Sequence, residues 1–264
     1  MSVTIVQTAF GGVTNVSTSG GSVLFFFNFS SAPAAGNTIV LCVDGINIHN
    51  NLILTTPSDS AGDSFSSLVA ESVSFPDSFG NTVFAQAQIY IANLIQGGAG
   101  STTLDIGGTS SPNVSGLVYC AYEIAGLGVN PLDATARGGS AVFPAGASIT
   151  PGRNGTLALS FVCAVASQSA GVFSTAGSGW TLDPPGFETA TLFAGGSNSD
   201  LIGDGAQHQF LATNAPVSGA LTRPTSGNGW VSVAATLGGT APIGGGNGSW
   251  LTVELNNSLR GVRH

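Results

Sequence analysis

Lysine is absent from this 264-residue chain, and its five cations are all arginines: Arg137, Arg153, Arg223, Arg260 and Arg263. Charged residues make up only 7% of it, thirteen are carboxylates, and the net charge is −8. A surface so poor in cations has little with which to displace counterions from a phosphate backbone, so no nucleic-acid partner is expected. The same acidic balance argues against docking on anionic membranes. No run approaches the roughly 18 apolar residues that span a bilayer. The first residues, MSVTIVQTAFGG, lack a basic region and a long apolar stretch. No signal peptide is therefore expected, and the chain would leave its cytoplasm of origin, if at all, by a signal-less route or inside a particle.

Chemistry-bearing residues are also scarce. Cys42, Cys120 and Cys163 each lie within an apolar run, and their odd number and wide spacing suit neither a zinc site nor a redox pair. Buried free thiols are expected. The three histidines, His49, His208 and His264, show no HExxH or His-x-x-His spacing. No GxSxG elbow is present, since Gly177-Ser178-Gly179-Trp180 lacks the flanking pattern. Members of a Ser-His-Asp triad need not be close in sequence, but no motif supports one. The expectation is a protein that is not an enzyme, with no catalytic residues and no cofactor.

Apolar residues are plentiful, at 42% with 15 Phe, so a sizeable core is available despite 39 Gly. The pattern has a period of two almost throughout, with turns rich in Gly, Pro and Asn between the runs. Val83, Ala85, Ala87, Ile89 and Ile91 alternate with Gln86 and Gln88, which predicts a half-buried strand with one wet face. Val23–Phe27 predicts a dense aromatic strand. In Thr156–Ala166 the larger residues Leu157, Leu159, Phe161, Cys163 and Val165 face one way. Ser115–Ala136 begins as a continuous apolar run, Leu117–Ile124, as strands covered on both faces do. It then breaks at Gly126 and Gly128, turns at Asn130-Pro131 and restarts at Leu132. The expected fold is all-β: an antiparallel β-sandwich of jelly-roll or immunoglobulin-like type.

An approximate internal repeat divides it. TIVQTAFGG resembles LDATARGG at Leu132–Gly139, and GNTIVLCV at Gly36–Val43 resembles NGTLALSFVCAV at Asn154–Val165. AGDSFSSL at Ala61–Leu68 matches AGSGWTL at Ala176–Leu182, and AQIYIANL at Ala87–Leu94 is matched with ETATLFAGG. Finally, SGLVYCAYEIAGLG matches GNGWVSVAATLGG at Gly227–Gly239. The order is kept at an offset of about 115 residues, the size of a small sandwich. Two pseudo-repeated halves are expected, 1–128 and 129–239, followed by a Gly-rich linker and C-terminal arm at 240–264. In that arm Trp250, Thr252 and Glu254 alternate with Leu251, Val253 and Leu255, and the end carries Arg260 and Arg263. Two Arg against one Glu make the arm +1, whereas three Arg against twelve carboxylates make residues 1–249 −9. An apolar arm with a cationic tip suits docking on an acidic neighbour, including an identical subunit. Trp250, Leu251, Val253, Leu255, Arg260 and Arg263 are its candidate contact residues.

Two acidic segments, Asp59–Asp63 and Asp200–Asp204, are candidate calcium loops, because Asp pairs with intervening backbone carbonyls supply hard oxygens. Neither has an EF-hand ladder, and plain Asp-Gly turns are the favoured reading. Trp180, Trp230 and Trp250 are candidate sugar-stacking platforms, with core packing preferred for the first two.

The segments SDSAGDSF, IYIANLIQGGAGSTTLDI, CAYEIAGLGVNPLDATA and SGWTL together resemble a widespread β-sandwich module of tailed-phage structural proteins and bacterial surface proteins. The resemblance covers about residues 1–238. Asp63 stands where that group commonly has Asn after Gly62, and Glu123–Leu127 replaces its Glu-Tyr-Ser-Gly-Leu type run. The resemblance implies an all-β fold and an exposed structural or adhesive role, and it carries over no catalytic residue. The resulting expectation is a structural virion protein, a phage capsid decoration or cement protein, with identical subunits and a capsid or other virion protein as partners. The alternative is a carbohydrate- or receptor-binding tail or surface adhesin module.

Overall fold

The computed structural model describes residues 2–16, 23–25, 28–47, 54, 56–76, 80, 82–97, 104–108, 114–140, 146–166, 176–193, 199–221 and 229–238. In chain order these form β1 (Thr4–Val16), β2 (Val23–Phe25), β3 (Thr38–Asn47), β4 (Ser58–Asp59) and β5 (Ser66–Pro76). β6 (Thr82–Ala92), β7 (Leu104–Gly108), β8 (Val114–Ala125), β9 (Leu132–Ser140) and β10 (Ser148–Ile149) follow. Last come β11 (Thr156–Ala166), β12 (Thr181–Phe193), β13 (Ser199–Leu211), β14 (Val217–Ser218) and β15 (Gly229–Gly238). No helix occurs among the described residues. The alternating and doubly apolar runs become antiparallel strands because each must bury one or both faces.

Two five-stranded sheets dominate. The first has the order β1-β8-β3-β6-β5, and the second, read from its β9 edge, has β9-β15-β11-β13-β12. Replacing β1, β8, β3, β6 and β5 by β9, β15, β11, β13 and β12 converts one into the other. The small sheets obey the same rule. β2 pairs with β7, and β10 pairs with β14, each lying after the first and before the last large-sheet strand of its half. Even the irregularities recur: register slips between Ile5 and Gln7 in β1, and Asp133 is skipped where β9 meets β15. Gly36 and Gly155, both with positive φ, turn the chain just before β3 and β11, a conformation open to Gly at little cost. One pairing expected from sequence is corrected. β6, with Ala87-Gln88, is matched in the sheet by β13, with Ala206-Gln207, and the ETATLFAGG segment falls in the edge strand β12 instead.

The two large sheets pack face to face. Val40 and Cys42 of β3, Ile89 of β6 and Tyr122 and Ile124 of β8 meet Leu157, Leu159 and Phe161 of β11 and Val231 and Val233 of β15 in one cluster. Both halves therefore share one central core. On the outer face of the first sheet, Ile39, Leu41, Tyr90 and Tyr119 lie under Phe29, Leu54 and Phe65. On the outer face of the second, Ile149 and Trp180 cover Ala234 and Ala158. The expected wet face of β6, in the first sheet, is corrected in part: Gln86 is half-buried, and Gln88 is buried and donates to the Ser67 hydroxyl at 2.8 Å. Gln88 tolerates burial because its amide nitrogen has a partner. The strand expected at Val23–Phe27 is described only as Val23–Phe25.

Candidate functional site

The acidic segments separate into unlike cases. Asp59 closes a turn: its Oδ1 accepts the Asp63 backbone N–H at 2.9 Å, and its carbonyl accepts that of Gly62 at 3.3 Å. Asp63 in turn accepts the Gln96 N–H at 2.9 Å, tying this turn to the loop after β6. Burial raises the Asp59 carboxyl above its ordinary range, with repulsion from Asp63 adding to it and the Asp63 backbone N–H opposing it. Each carboxyl thus gives one oxygen to a backbone donor, the bonding of an Asp-Gly turn, while Asp59 Oδ2 has no hydrogen-bond partner among the described residues. Asp200 and Asp204 do not form a loop at all. They lie within β13, opposite Leu192 and Glu188 of β12. Four residues of extended strand separate them by about 13 Å, too far to share one ion. Among the described residues no group of three His, Cys, Asp or Glu side chains could hold a metal.

A constellation that sequence reasoning missed lies between the large sheets. Asp183 is buried; its Oδ2 accepts the Tyr122 hydroxyl at 2.7 Å, and its Oδ1 lies 2.6 Å from His208 Nδ1. Tyr122 comes from β8 in the first half, and the other two residues come from β12 and β13 in the second. β12 supplies Asp183 because Asp183-Pro184-Pro185-Gly186 cannot hold the ladder: two prolines lack N–H donors, and register jumps from Leu182 to Phe187. An Asp-Pro-Pro-Gly run inside an apolar strand pattern was the available signal. A carboxylate-oriented imidazole is two thirds of an acyl-transfer triad. Thr181 stands opposite His208 in the ladder, yet among the described residues no hydroxyl or thiol hydrogen-bonds the imidazole's other nitrogen. The ring edge instead meets Phe210, with centroids 5.7 Å apart. Tyr122–Asp183–His208 is a polar clasp joining the two halves.

The remaining candidates sort by burial. Cys42, Cys120 and Cys163 are buried and in no disulfide, as expected, and Cys42 stands directly opposite Cys120 in the β3–β8 ladder. Burial pushes the Cys120 thiol up to about 12, and Cys42 is likewise raised by burial first and by Cys120 second. Trp180 and Trp230 are buried, and Trp180 Nε1 donates to the Ser218 carbonyl at 2.8 Å, so neither is a stacking platform. His49 and His264 fall outside the described residues. So do the arm residues Trp250, Leu251, Val253, Leu255, Arg260 and Arg263.

What the described fold presents outward is apolar at a few places. Val6 and Phe10 are exposed on the edge strand β1, and Phe210 at the end of β13. Leu94, Val129 and Leu132 are 46%, 69% and 44% exposed at the end of the sandwich where β6 and β8 finish and β9 begins. Asn93 Nδ2 donates to the carbonyls of Gly128 and Val129 at 3.1 and 3.0 Å, so the two loops are held together. β15 finishes at the same place, with Gly238 N–H donating to the Pro131 carbonyl at 2.8 Å. Comparison with protein-family models, curated proteins and solved structures finds no match to this chain.

Proposed function

We propose that this chain is a structural virion protein, a decoration or cement protein of a phage capsid that stabilises the particle through contacts between subunits and through its terminal arm. What supports this reading is the end of the described fold. An acidic body finishes at Gly238 among exposed apolar residues, and the sequence then supplies a Gly-rich linker, alternating apolar residues and two arginines. Alternating apolar residues with a cationic tip suit strand addition or clamping on an acidic subunit. A double sandwich with a shared core suits a mechanical task, because its central strands are buried on both faces. The resemblance of residues 1–238 to the phage and surface-protein module adds to this.

The test is co-sedimentation of the full chain, and of a chain lacking residues 240–264, with capsids of the phage that encodes it. The full chain should bind. The shortened chain should keep its circular dichroism and bind at least about tenfold more weakly, as loss of a few buried apolar side chains requires. Equal binding by both would remove the arm from the mechanism, and no binding by the full chain would overturn the virion assignment.

A further inference from the structure

Leu94 combines two costs that ordinary loop residues avoid. Its φ of 54° puts a branched side chain in the left-handed region, at a cost of about 1 to 2 kcal/mol, and the side chain then remains nearly half exposed. The backbone around it is firmly held: Ile95 N–H donates to the Asn37 carbonyl at 2.9 Å, and Gln96 N–H to Asp63. Strain retained without burial points to a use outside the residue's own packing. Val129 and Leu132 lie in the loop that Asn93 fastens to the same place, and neither is covered by any described residue to more than about half. Single exposed apolar residues mean little; three at one held corner of an otherwise polar loop end mean more.

We infer that the chain's own segment Trp250–Leu255 covers Leu94, Val129 and Leu132. The described fold ends at Gly238, which is bonded to Pro131, the residue next to Leu132. Residues 239–249 are a Gly-rich spacer whose root-mean-square reach is about 18 Å, so the segment stays near this corner at millimolar effective concentration. In extended form Leu251, Val253 and Leu255 share one face, which offers three apolar side chains to three exposed ones. Arg260 and Arg263 follow, and the body they would approach carries −9. In the free chain proximity selects the same subunit over a neighbour, because a tethered segment needs no second molecule to find its seat; the capsid contact proposed above would draw the segment from it. The inference does not depend on the virion assignment.

Hydrogen exchange on the full chain, at two protein concentrations tenfold apart, tests it. Amides 250–255 should exchange at least about tenfold more slowly than in a free peptide of that sequence, equally at both concentrations. Leu94→Gly fits the left-handed backbone, so it removes the side chain without endangering the fold. It should cut that protection by about threefold, and Leu94→Gly with Val129→Ser should abolish it, while β3 and β8 stay protected. Free-peptide rates in the unmodified chain would overturn the inference. So would protection that survives the Leu94→Gly change, which would seat the segment elsewhere. Protection that rises with concentration alongside a dimer would assign it to a neighbouring copy.

Discussion

A carboxylate placed between two sheets costs several kcal/mol unless its oxygens find donors. Asp183 meets that condition with Tyr122 and His208, one from each half. Asp183→Ala strands both partners and should lower unfolding free energy by about 3 to 5 kcal/mol. Tyr122→Phe leaves only one oxygen without its donor and should cost about 1 to 3 kcal/mol. Urea denaturation of the two variants checks the ranking; a negligible loss for Asp183→Ala would mean that the clasp joins nothing. The thiols yield a second prediction. With Cys120 at about 12 against an ordinary 9.0, its folded-state pKa lies above its unfolded one. The unfolded chain therefore deprotonates first as pH rises, so this contribution is fully present below about pH 9 and is lost between about 9 and 12. Stability measured by urea midpoint should be flat from about pH 7 to pH 9 and fall beyond it. At pH 8 iodoacetamide should leave all three cysteines unmodified in the folded chain and alkylate them in urea, since the thiolate is the reactive form.

At the scale of elements, two glycines set how closely the large sheets approach. A Cβ on Gly229 of β15 would collide with the Phe75 ring of β5, and one on Gly139 of β9 with the Val73 side chain. Gly229→Ala and Gly139→Ala should each destabilise by about 1 to 3 kcal/mol, as overpacking does. Phe75→Leu should be costly alone but cost less in the Gly229→Ala background; strict additivity in this double-mutant cycle would show that the two do not meet. Strand identity itself was legible in the chain, because alternation in Thr156–Ala166 and the doubly apolar run in Leu117–Ile124 report which faces are covered. Two elements were misread for one shared reason. Asp200–Asp204 carries turn residues, and the Ala206-Gln207 pair within β13 sits among a biased composition, so local letters pointed elsewhere. Pairing with β11 on one side and β12 on the other decides both, and ladder partners are not encoded in neighbouring residues.

For the whole molecule the shared central core has a direct consequence. The inner faces of both sheets form one cluster, so neither half can bury its own large-sheet face alone. The full chain should unfold in a single transition with calorimetric and van't Hoff enthalpies in agreement. Residues 129–239 expressed alone should aggregate or pair with a second copy through the bared face of β11 and β15; a monomeric, cooperatively folding fragment would contradict the shared core.

The chain by itself determined that this protein is all-β, that its two halves are pseudo-repeated, and that its cysteines are buried. Each of these follows from period, composition or self-similarity, which are local or repeated properties. Only the tertiary structure decided that the halves meet through their large sheets and that Asp183 joins Tyr122 to His208 across them. It alone decided, too, that the loops carrying Leu94, Val129 and Leu132 are held together where β15 ends. Those facts depend on which faces are brought together at long range. A face that is apolar in sequence says that it will be covered, not by what.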